Sequence, residues 1–459
     1  MWFRHDLRLA DNPALVSACE RGKVHACFVN CPDQWEAHDV GPRRLHFLRE
    51  TLTELMTDLA KLGIPMTIVE ASDFKQVPGK LLELCSELGA KHVYINAEYP
   101  LNEQARDQAC DKTLQKEQIE LHTYHGNLVH PPGAVVTQND TPYSVFTPFK
   151  RRWLTLTHAD FLTPLPPPKP VGDAIEPTLS LTGMTEGGER LFLPGEKAAH
   201  KALSQFSAGA MTAYEKGRDL PGQAGTSKLS PYLAIGTLSP NQCLTAALKV
   251  NGNSLAEGSA ASWINEIIWR EFYKHVIALY PHVSMGHAFR RQYDALPWRQ
   301  APEDFKAWQL GMTGYPFVDA GMRQLAQEGW MHNRVRMVTA MFLSKHLLLD
   351  WRLGERHFMQ QLVDGDFAAN NGGWQWSAST GTDAAPYFRI FNPASQGKRF
   401  DPKGAYTRHY VPELAEVPDK FLYEPWQAGI EIDYPQPIVE HSFARERAIE
   451  TFKGIVDSA

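Results

Sequence analysis

The sequence predicts an α/β + α chain: an N-terminal doubly wound parallel α/β (Rossmann-like) domain, a long connector, and a C-terminal all-helical domain. Three observations carry this. Over residues 1–125, apolar runs of strand length alternate with a helical stripe; from 126 to 195 the chain turns rich in Pro and Gly; from 196 to 459, helical spacing runs almost to the end. A chain of 459 residues also exceeds one ordinary domain.

In the first segment, residues 24–29 (VHACFV), 66–69 and 92–95 read as strands. Between them Leu45, Leu48, Leu52, Leu55, Leu59 and Leu62 recur at three- and four-residue steps, one helix stripe that Gly63 and Pro65 end. Strand–helix–strand repetition implies parallel strands with right-handed crossovers. No GxGxxG follows the first strand, so a nicotinamide site lacks its phosphate loop. In the connector, LPPPKPVG (165–172) can be neither helix nor central strand, because successive prolines fix φ and remove donors. Residues 143–153 (YSVFTPFKRRW) form an ordered, aromatic exception within it. Helices are expected over 229–248, 260–279, 318–327, 333–349 and 353–363.

Composition excludes several classes. No apolar run approaches a membrane span, and the start, MWFRHDLRLAD, is no secretory signal. Six Cys, at 19, 27, 31, 85, 110 and 243, show no metal or disulfide spacing, which fits a reducing cytoplasm. The formal charge of −6 argues against a generic nucleic-acid binder, yet residues 226–410 carry 19 Lys+Arg against 14 Asp+Glu. That local excess reads either as a solvated face or as a surface for phosphate contact.

The most informative segment is 364–393, DGDFAANNGGWQWSASTGTDAAPYFRIFNP. It shows no apolar stripe of a core helix, and a solvated loop would not keep Trp374, Trp376, Tyr387, Phe388 and Phe391. Amides and glycines beside wide flat rings suit a planar, hydrogen-bonding ligand. Asp364 and Asp366, two apart with no His or third carboxylate, make a poor metal or glycosidase pair. Thr226, Ser227, Lys228, Leu229 and Ser230 lie where a helix begins, either as a plain hydroxyl cap or as a seat for a phosphate. In INEIIWREFYKHV (264–276), Ile264, Ile268 and Phe272 form a core face. Glu266, Trp269, Arg270 and Tyr273 form a second stripe, either ordinary packing or a binding surface.

Taken whole, the 364–393 string closely resembles the flavin site of the DNA photolyase and cryptochrome family, and the resemblance extends along essentially the entire chain. It implies FAD as cofactor, with the hydroxyl segment Thr226–Ser230 at the pyrophosphate and Asp364, Gly365 and Asp366 at the flavin and adenosine portion. Tyr214 would be a further FAD contact, and Arg218 flanks the site. Asp364 would pair with Arg336 beside the ring system, and Asn370 would face the flavin N5, favouring the reduced, anionic flavin. Glu266 would hydrogen-bond the base edge of the substrate, and Trp269 and Trp376 would form its walls, with Arg270 and Tyr273 on the same face. In GWMHNRVRM (329–337), Asn333 and Met337 match enzymes of cyclobutane pyrimidine dimers, the class I branch, rather than of (6-4) photoproducts. Arg334 would contact the lesion or its phosphate; Gln396 and Lys398 would reach the DNA rim; Trp376 argues for duplex substrate. Eight of the twelve Trp lie between Trp263 and Trp376, and Trp374, Trp351 and Trp298 match the family's electron relay.

The function implied is light-driven repair of UV-induced dimers in DNA, by electron transfer from excited reduced FAD to the flipped-out lesion. Such chemistry needs no general acid or base, and no triad, HExxH or phosphate-transfer loop is found. The alternative is a blue-light photoreceptor of the cryptochrome type; a dark flavin oxidoreductase lacks an identifiable second substrate site. His38, Asn102 and Glu103 match positions that hold a 5,10-methenyltetrahydrofolate antenna, although 282–289 (HVSMGHAF) has no Lys where the family carries one. The family's first strand runs a few residues ahead of WFRxDLR, whereas here Met1 directly precedes Trp2, so the start is clipped or strand one is shortened. A monomer acting in the cytoplasm, on damage in the nucleoid, is the expected state.

Overall fold

The computed structural model describes residues 1–177 and 191–457; the part of the expected connector from 178 to 190 lies outside the described residues. Two compact units emerge, each discontinuous in sequence. The first comprises Met1–Glu215, Ser227–Pro281 and Val363–Ala368; the second comprises Lys216–Thr226, His282–Leu362 and Ala369–Ala459. Sequence composition drew boundaries at 125 and 195, whereas compactness keeps the helices up to Pro281 with the α/β elements.

In the first unit the strands are β1 (Trp2–Phe3), β2 (Ala26–Asn30), β3 (Met66–Glu70), β4 (His92–Asn96) and β5 (Glu120–Tyr124), all pairing in parallel. They form two sheets, β1-β2-β3 and β4-β5, rather than one continuous sheet. The physical reason is the two-residue β1: past Phe3 the backbone turns away, and side chains replace the ladder. Asn96 Nδ2 donates to Asp6 Oδ2 (2.6 Å) and Asn12 Oδ1 (2.8 Å), and Arg4 Nη1 pairs with Asp107 (3.0 Å). The Pro42–Lys61 helix buries Leu48, Leu52, Leu55 and Leu59 of the expected stripe, plus Phe47 and Met56, while Leu45 and Leu62 are half-buried at its ends. Residues of the connector finish that helix: Val171 and Ile175 donate main-chain N–H to Leu62 and Ala60 carbonyls (2.9 and 3.0 Å). Carbonyls at a helix end need such partners.

A fully buried guanidinium joins the pieces of this unit. Arg8 makes five hydrogen bonds: to the Asp11 carbonyl through Nε and Nη2, to the Gly126 and Gly236 carbonyls, and to Asn127 Oδ1. A guanidinium has five N–H donors, so burial leaves none unmatched. Gly236 sits at φ +73°, and a Cβ there would lie 2.0 Å from the His5 carbonyl oxygen, so only glycine permits this approach. Gly236 also ends the Ser230–Ile235 helix; Ser239 then caps a second helix, Pro240–Val250, with a capping box through Gln242. The single helix expected over 229–248 is thus two.

The second unit is helical among its described residues. Its core gathers Trp308, Phe317, Phe342, Trp351, Phe358 and Trp374 from the Pro302–Leu310, Pro316–Glu328, Trp351–Gln361 and Phe367–Ala378 helices and the turn after Met341. The expected helix 333–349 is an α-helix only over Asn333–Met341; Phe342–His346 widens into a π-helical turn. That turn buries Ser344, Lys345 and His346, polar groups an ordinary apolar stripe would not carry inward. Lys345 Nζ lies 3.3 Å from the Phe452 ring centre, and burial holds its ammonium well below the usual lysine range.

Arg8→Ala would strand three buried carbonyls, each costing about 1–3 kcal/mol. We expect the thermal midpoint to fall by about 5 °C or more, against almost no change for exposed Arg151→Ala. Equal melting of the two variants by circular dichroism would remove the node from the stability argument.

Candidate functional site

The Ala261–Leu279 helix carries several of the candidate residues in the first unit. Ile264, Ile268 and Phe272 are fully buried as expected, and Glu266, Trp269, Arg270 and Tyr273 lie half-buried on the other stripe. Trp269 stacks on Phe146 with ring centres 3.6 Å apart and planes at 7°, and against Tyr273 at 5.5 Å. Phe146 comes from the Phe146–Leu156 helix, the ordered exception in the connector, which docks through Trp153. Trp153 Nε1 donates to Glu271 (2.6 Å), and the same carboxylate accepts the main-chain N–H of Val129 (2.7 Å) and His130 (3.0 Å). Burial pushes the Glu271 carboxyl up to about 7 even so. Sequence reasoning missed Glu271, since a charged residue beside an apolar stripe gives no sign of what it will meet. The Arg270 guanidinium donates to the carbonyls of Asn127 (2.9 Å) and Leu233 (3.3 Å), which fixes its position on this face.

Asp364 and Gly365 are buried and Asp366 half-buried. Two cations attend the acids, neither singled out in the sequence. Lys274 Nζ pairs with Asp366 at 2.7 Å; burial lowers its ammonium and Asp366 opposes that. Buried Arg44, from the Pro42–Lys61 helix, lies within the field of Asp366, Glu98, Glu103 and Asp364. Lys274 was findable, one helical turn past Arg270; Arg44, more than three hundred residues away in sequence, gives no local signal. Tyr214 is buried, edge-to-face on Phe206 at 6.0 Å. The hydroxyl segment is corrected in one respect. The helix begins at Ser230 with Leu229 as N-cap and no side chain capping it. Ser227 Oγ instead accepts the Leu229 N–H (3.4 Å), and Lys228 sits at φ +49°. A bare helix start suits an anion better than a capped one. Thr226 belongs to the second unit, Ser227 onward to the first.

In the second unit the 364–393 segment departs from expectation, because Phe367–Ala378 is a helix. An amide network and one large ring supply what the missing apolar stripe does not. Asn371 Nδ2 donates to Glu355 Oε1 (2.8 Å), Gln375 Nε2 donates to Asn371 Oδ1 (2.9 Å), and Gln375 Oε1 accepts the Phe289 N–H (2.8 Å). Asn370 Nδ2 donates to the Glu355 carbonyl (3.0 Å), which orients its amide and lets Oδ1 serve as an acceptor. Two positions apart on a helix places side chains about 200° apart, so Trp374 is buried while Trp376 is half-buried. Trp374 packs edge-to-face on Phe358 (5.0 Å) and Trp308 (5.9 Å), and Gly354 leaves no room for a Cβ, which would lie 2.1 Å from Trp374 Cη2.

Trp351 and Trp374 share the same core, and Trp298 packs against it. All three indole N–H groups are buried with no acceptor, as is that of Trp2 in the first unit, whereas Trp35, Trp153 and Trp308 each have one. Arg334 is held by Asp219 (2.9 Å) and lies over the Phe400 ring at 4.4 Å. Asn333 is exposed one turn ahead of half-buried Met337. Arg336 donates to the Met331 carbonyl (2.8 Å), and Arg218 is half-buried. Lys398 pairs with Glu424, which competes with the phosphate contact expected of it. Gln396 has its carbonyl oxygen buried without a partner.

The antenna candidates do meet, within the first unit. His38 lies 2.9 Å from Asn102 Nδ2 and 3.6 Å from Glu103 Oε1. Of the three, Glu103 also lines a small pocket, together with Trp2, Trp35, Phe74, Glu98 and Arg106. Burial raises the Glu103 carboxyl, and its Oε2 has no hydrogen-bond partner, which fits a ligand N–H donor. His38 is pushed down by burial and then by Arg44 and Arg106, so it stays neutral.

Comparison with known proteins agrees along the whole chain. A family model described as DNA photolyase matches residues 1–170, and one described as the FAD binding domain of DNA photolyase matches 263–454. The chain is 46% identical over 464 residues to a deoxyribodipyrimidine photo-lyase of Salmonella typhimurium, covering 99% of this chain and 98% of the relative. A bacterial class III photolyase from Agrobacterium tumefaciens superposes with a TM-score of 0.88 at 37% identity, covering 99% and 97%. A cryptochrome from Synechocystis superposes with a TM-score of 0.87 at 27% identity, covering 98% of each chain. The chain therefore belongs to the DNA photolyase family, with its N-terminal α/β part and its helical FAD-binding domain.

Proposed function

We propose that this protein is a deoxyribodipyrimidine photo-lyase, a carbon–carbon lyase that uses blue light to reopen cyclobutane pyrimidine dimers in DNA. Near-full-length identity to relatives of that name carries the reading. Asn370 supports the repair branch: an amide anchored by its nitrogen presents an acceptor, which suits an N–H on the flavin, the situation at N5 of the reduced ring. FAD, when bound and reduced, supplies under light the electron that opens the dimer and takes it back. The uncapped helix start at Leu229, with Tyr214, Thr226, Ser227, Lys228 and Ser230, would hold the pyrophosphate side, and Asp364, Gly365, Asp366, Arg336 and Asn333 the remainder. Glu266, Trp269, Tyr273, Arg334, Met337 and Trp376 would meet the extruded dimer in duplex DNA. Arg218 and Gln396 would lie at the rim, and Lys398 would join them by exchanging Glu424 for phosphate.

The finer assignments follow. Asn333, Met337 and Trp376 support class I. The orphaned Glu103 oxygen beside His38 and Asn102 supports 5,10-methenyltetrahydrofolate as the antenna. The packing of Trp351, Trp374 and Trp298 around one core supports a relay of Trp374, Trp351 and Trp298 for electron transfer. By role, residues 1–125 serve the antenna, 126–195 connect, and 196–459 hold flavin and DNA. A monomer in a reducing cytoplasm, meeting damage in the nucleoid, fits six free cysteines. No helix among the described residues is long and apolar enough to cross a membrane.

The direct test is repair of a duplex bearing one thymine dimer by the reduced protein, light against dark, read by chromatography. Return of intact thymines only in light is expected; bound flavin with dimer binding but no repair would move the protein to the photoreceptor branch. Trp269→Ala should raise Kd for the dimer duplex about tenfold, as one lost base–aromatic stack of about 1–3 kcal/mol implies, with flavin content retained. Fluorescence anisotropy showing unchanged affinity would remove Trp269 from the binding wall. Trp298→Phe should slow photoreduction of oxidised flavin while sparing repair by pre-reduced enzyme. Flash absorption with equal rates in variant and parent would exclude Trp298 from the relay.

A further inference from the structure

Outside all of these residues, the first turns of β4 and β5 bring three metal-binding groups together. His92 opens β4; Glu120 opens β5, with His122 two residues on. The parallel register pairs His92 with Glu120 and Tyr94 with His122, so all four side chains stand on one sheet face. His92 Nδ1 lies 3.2 Å from His122 Nε2 and 3.3 Å from Glu120 Oε2, and His122 Nε2 lies 3.3 Å from that same oxygen. The three ligand atoms form a nearly equilateral triangle, all within 4.8 Å of one another.

That triangle has the size a metal requires. A tetrahedral ion with bonds of about 2.0–2.1 Å separates any two of its ligand atoms by about 3.3 Å. One proton can satisfy only one edge of a triangle of acceptors at a time, whereas one cation above the plane satisfies all three. The Tyr94 ring, stacked on His122 at 4.7 Å, holds that imidazole in place. Both imidazoles are about one-quarter exposed and Glu120 is 63% exposed, which leaves a route from solvent and room for a fourth ligand.

We propose that His92, Glu120 and His122 bind one divalent transition-metal ion of the zinc class, with water completing the tetrahedron. Two imidazoles and one carboxylate suit zinc better than the oxygen-seeking alkaline-earth ions. The site lies at the N-terminal ends of its strands, whereas Asn102 and Glu103 follow the C-terminal end of β4, so it is separate from the antenna candidates. Its effect is structural: the ion ties the start of β5 to β4, the only strand with which β5 pairs among the described residues.

The test is equilibrium dialysis of the tag-free, FAD-loaded full chain against zinc chloride, with metal read by mass spectrometry. At about 10 µM free zinc, enough to fill a site of micromolar Kd, the parent should retain one zinc more than the His92→Gln/His122→Gln variant. Glu120→Gln, at an exposed position where folding is not at issue, should weaken zinc binding about tenfold or more. No zinc on the parent, equal zinc on parent and double variant, or unchanged affinity in Glu120→Gln would each overturn the site.

Discussion

Arg8 is the point on which the first unit depends. Its guanidinium is out of water, and a buried cation is tolerable only where every donor finds an acceptor. Those acceptors come from the N-terminal loop, the start of the connector and the glycine that ends the Ser230–Ile235 helix. Three stretches separated by more than a hundred residues each are thereby held in one arrangement, and the Ala261–Leu279 helix inherits it through Arg270, which bonds the Asn127 and Leu233 carbonyls. The second basic residue therefore extends the work of the first by bonding main-chain carbonyls of the same stretches.

What was legible in the sequence tracks the range of the interaction responsible. The leucine stripe of Pro42–Lys61 and the Ile264–Ile268–Phe272 face were readable because period alone decides which side of a helix is buried. The two-sheet arrangement was not, since it follows from the brevity of β1 and from Asn96 meeting Asp6 and Asn12, contacts without a local signature. The Phe367–Ala378 helix escaped for a related reason: its stability lies in amides bonded to Glu355 and Phe289 and in Trp374 set against Gly354, not in apolar spacing. The π-helical turn at Phe342–His346 likewise interrupts an unbroken helical pattern. Of the candidate site, the motif strings name the residues by resemblance, whereas the partners that orient them, Arg44, Lys274, Asp219 and Glu355, come from elsewhere in the chain and carry no local signal.

The second unit keeps several polar groups where apolar ones would pack more favourably. Lys345 is buried over an aromatic ring without an acceptor, and three tryptophans bury their N–H groups unpaired. Buried polar atoms without a partner also occur in the first unit, the Trp2 indole N–H among them, so the pattern is not peculiar to these three rings.

The Phe146–Trp269 stack has a consequence for how a ligand would be received. With one face of the indole covered at 3.6 Å, the side chain has surrendered its rotamer freedom during folding, well before any encounter. A planar group packing against the part of the ring that is left exposed would meet a side chain already ordered, with a smaller entropic penalty on association. The connector helix that supplies Phe146 thus acts as the fixed backing of that ring.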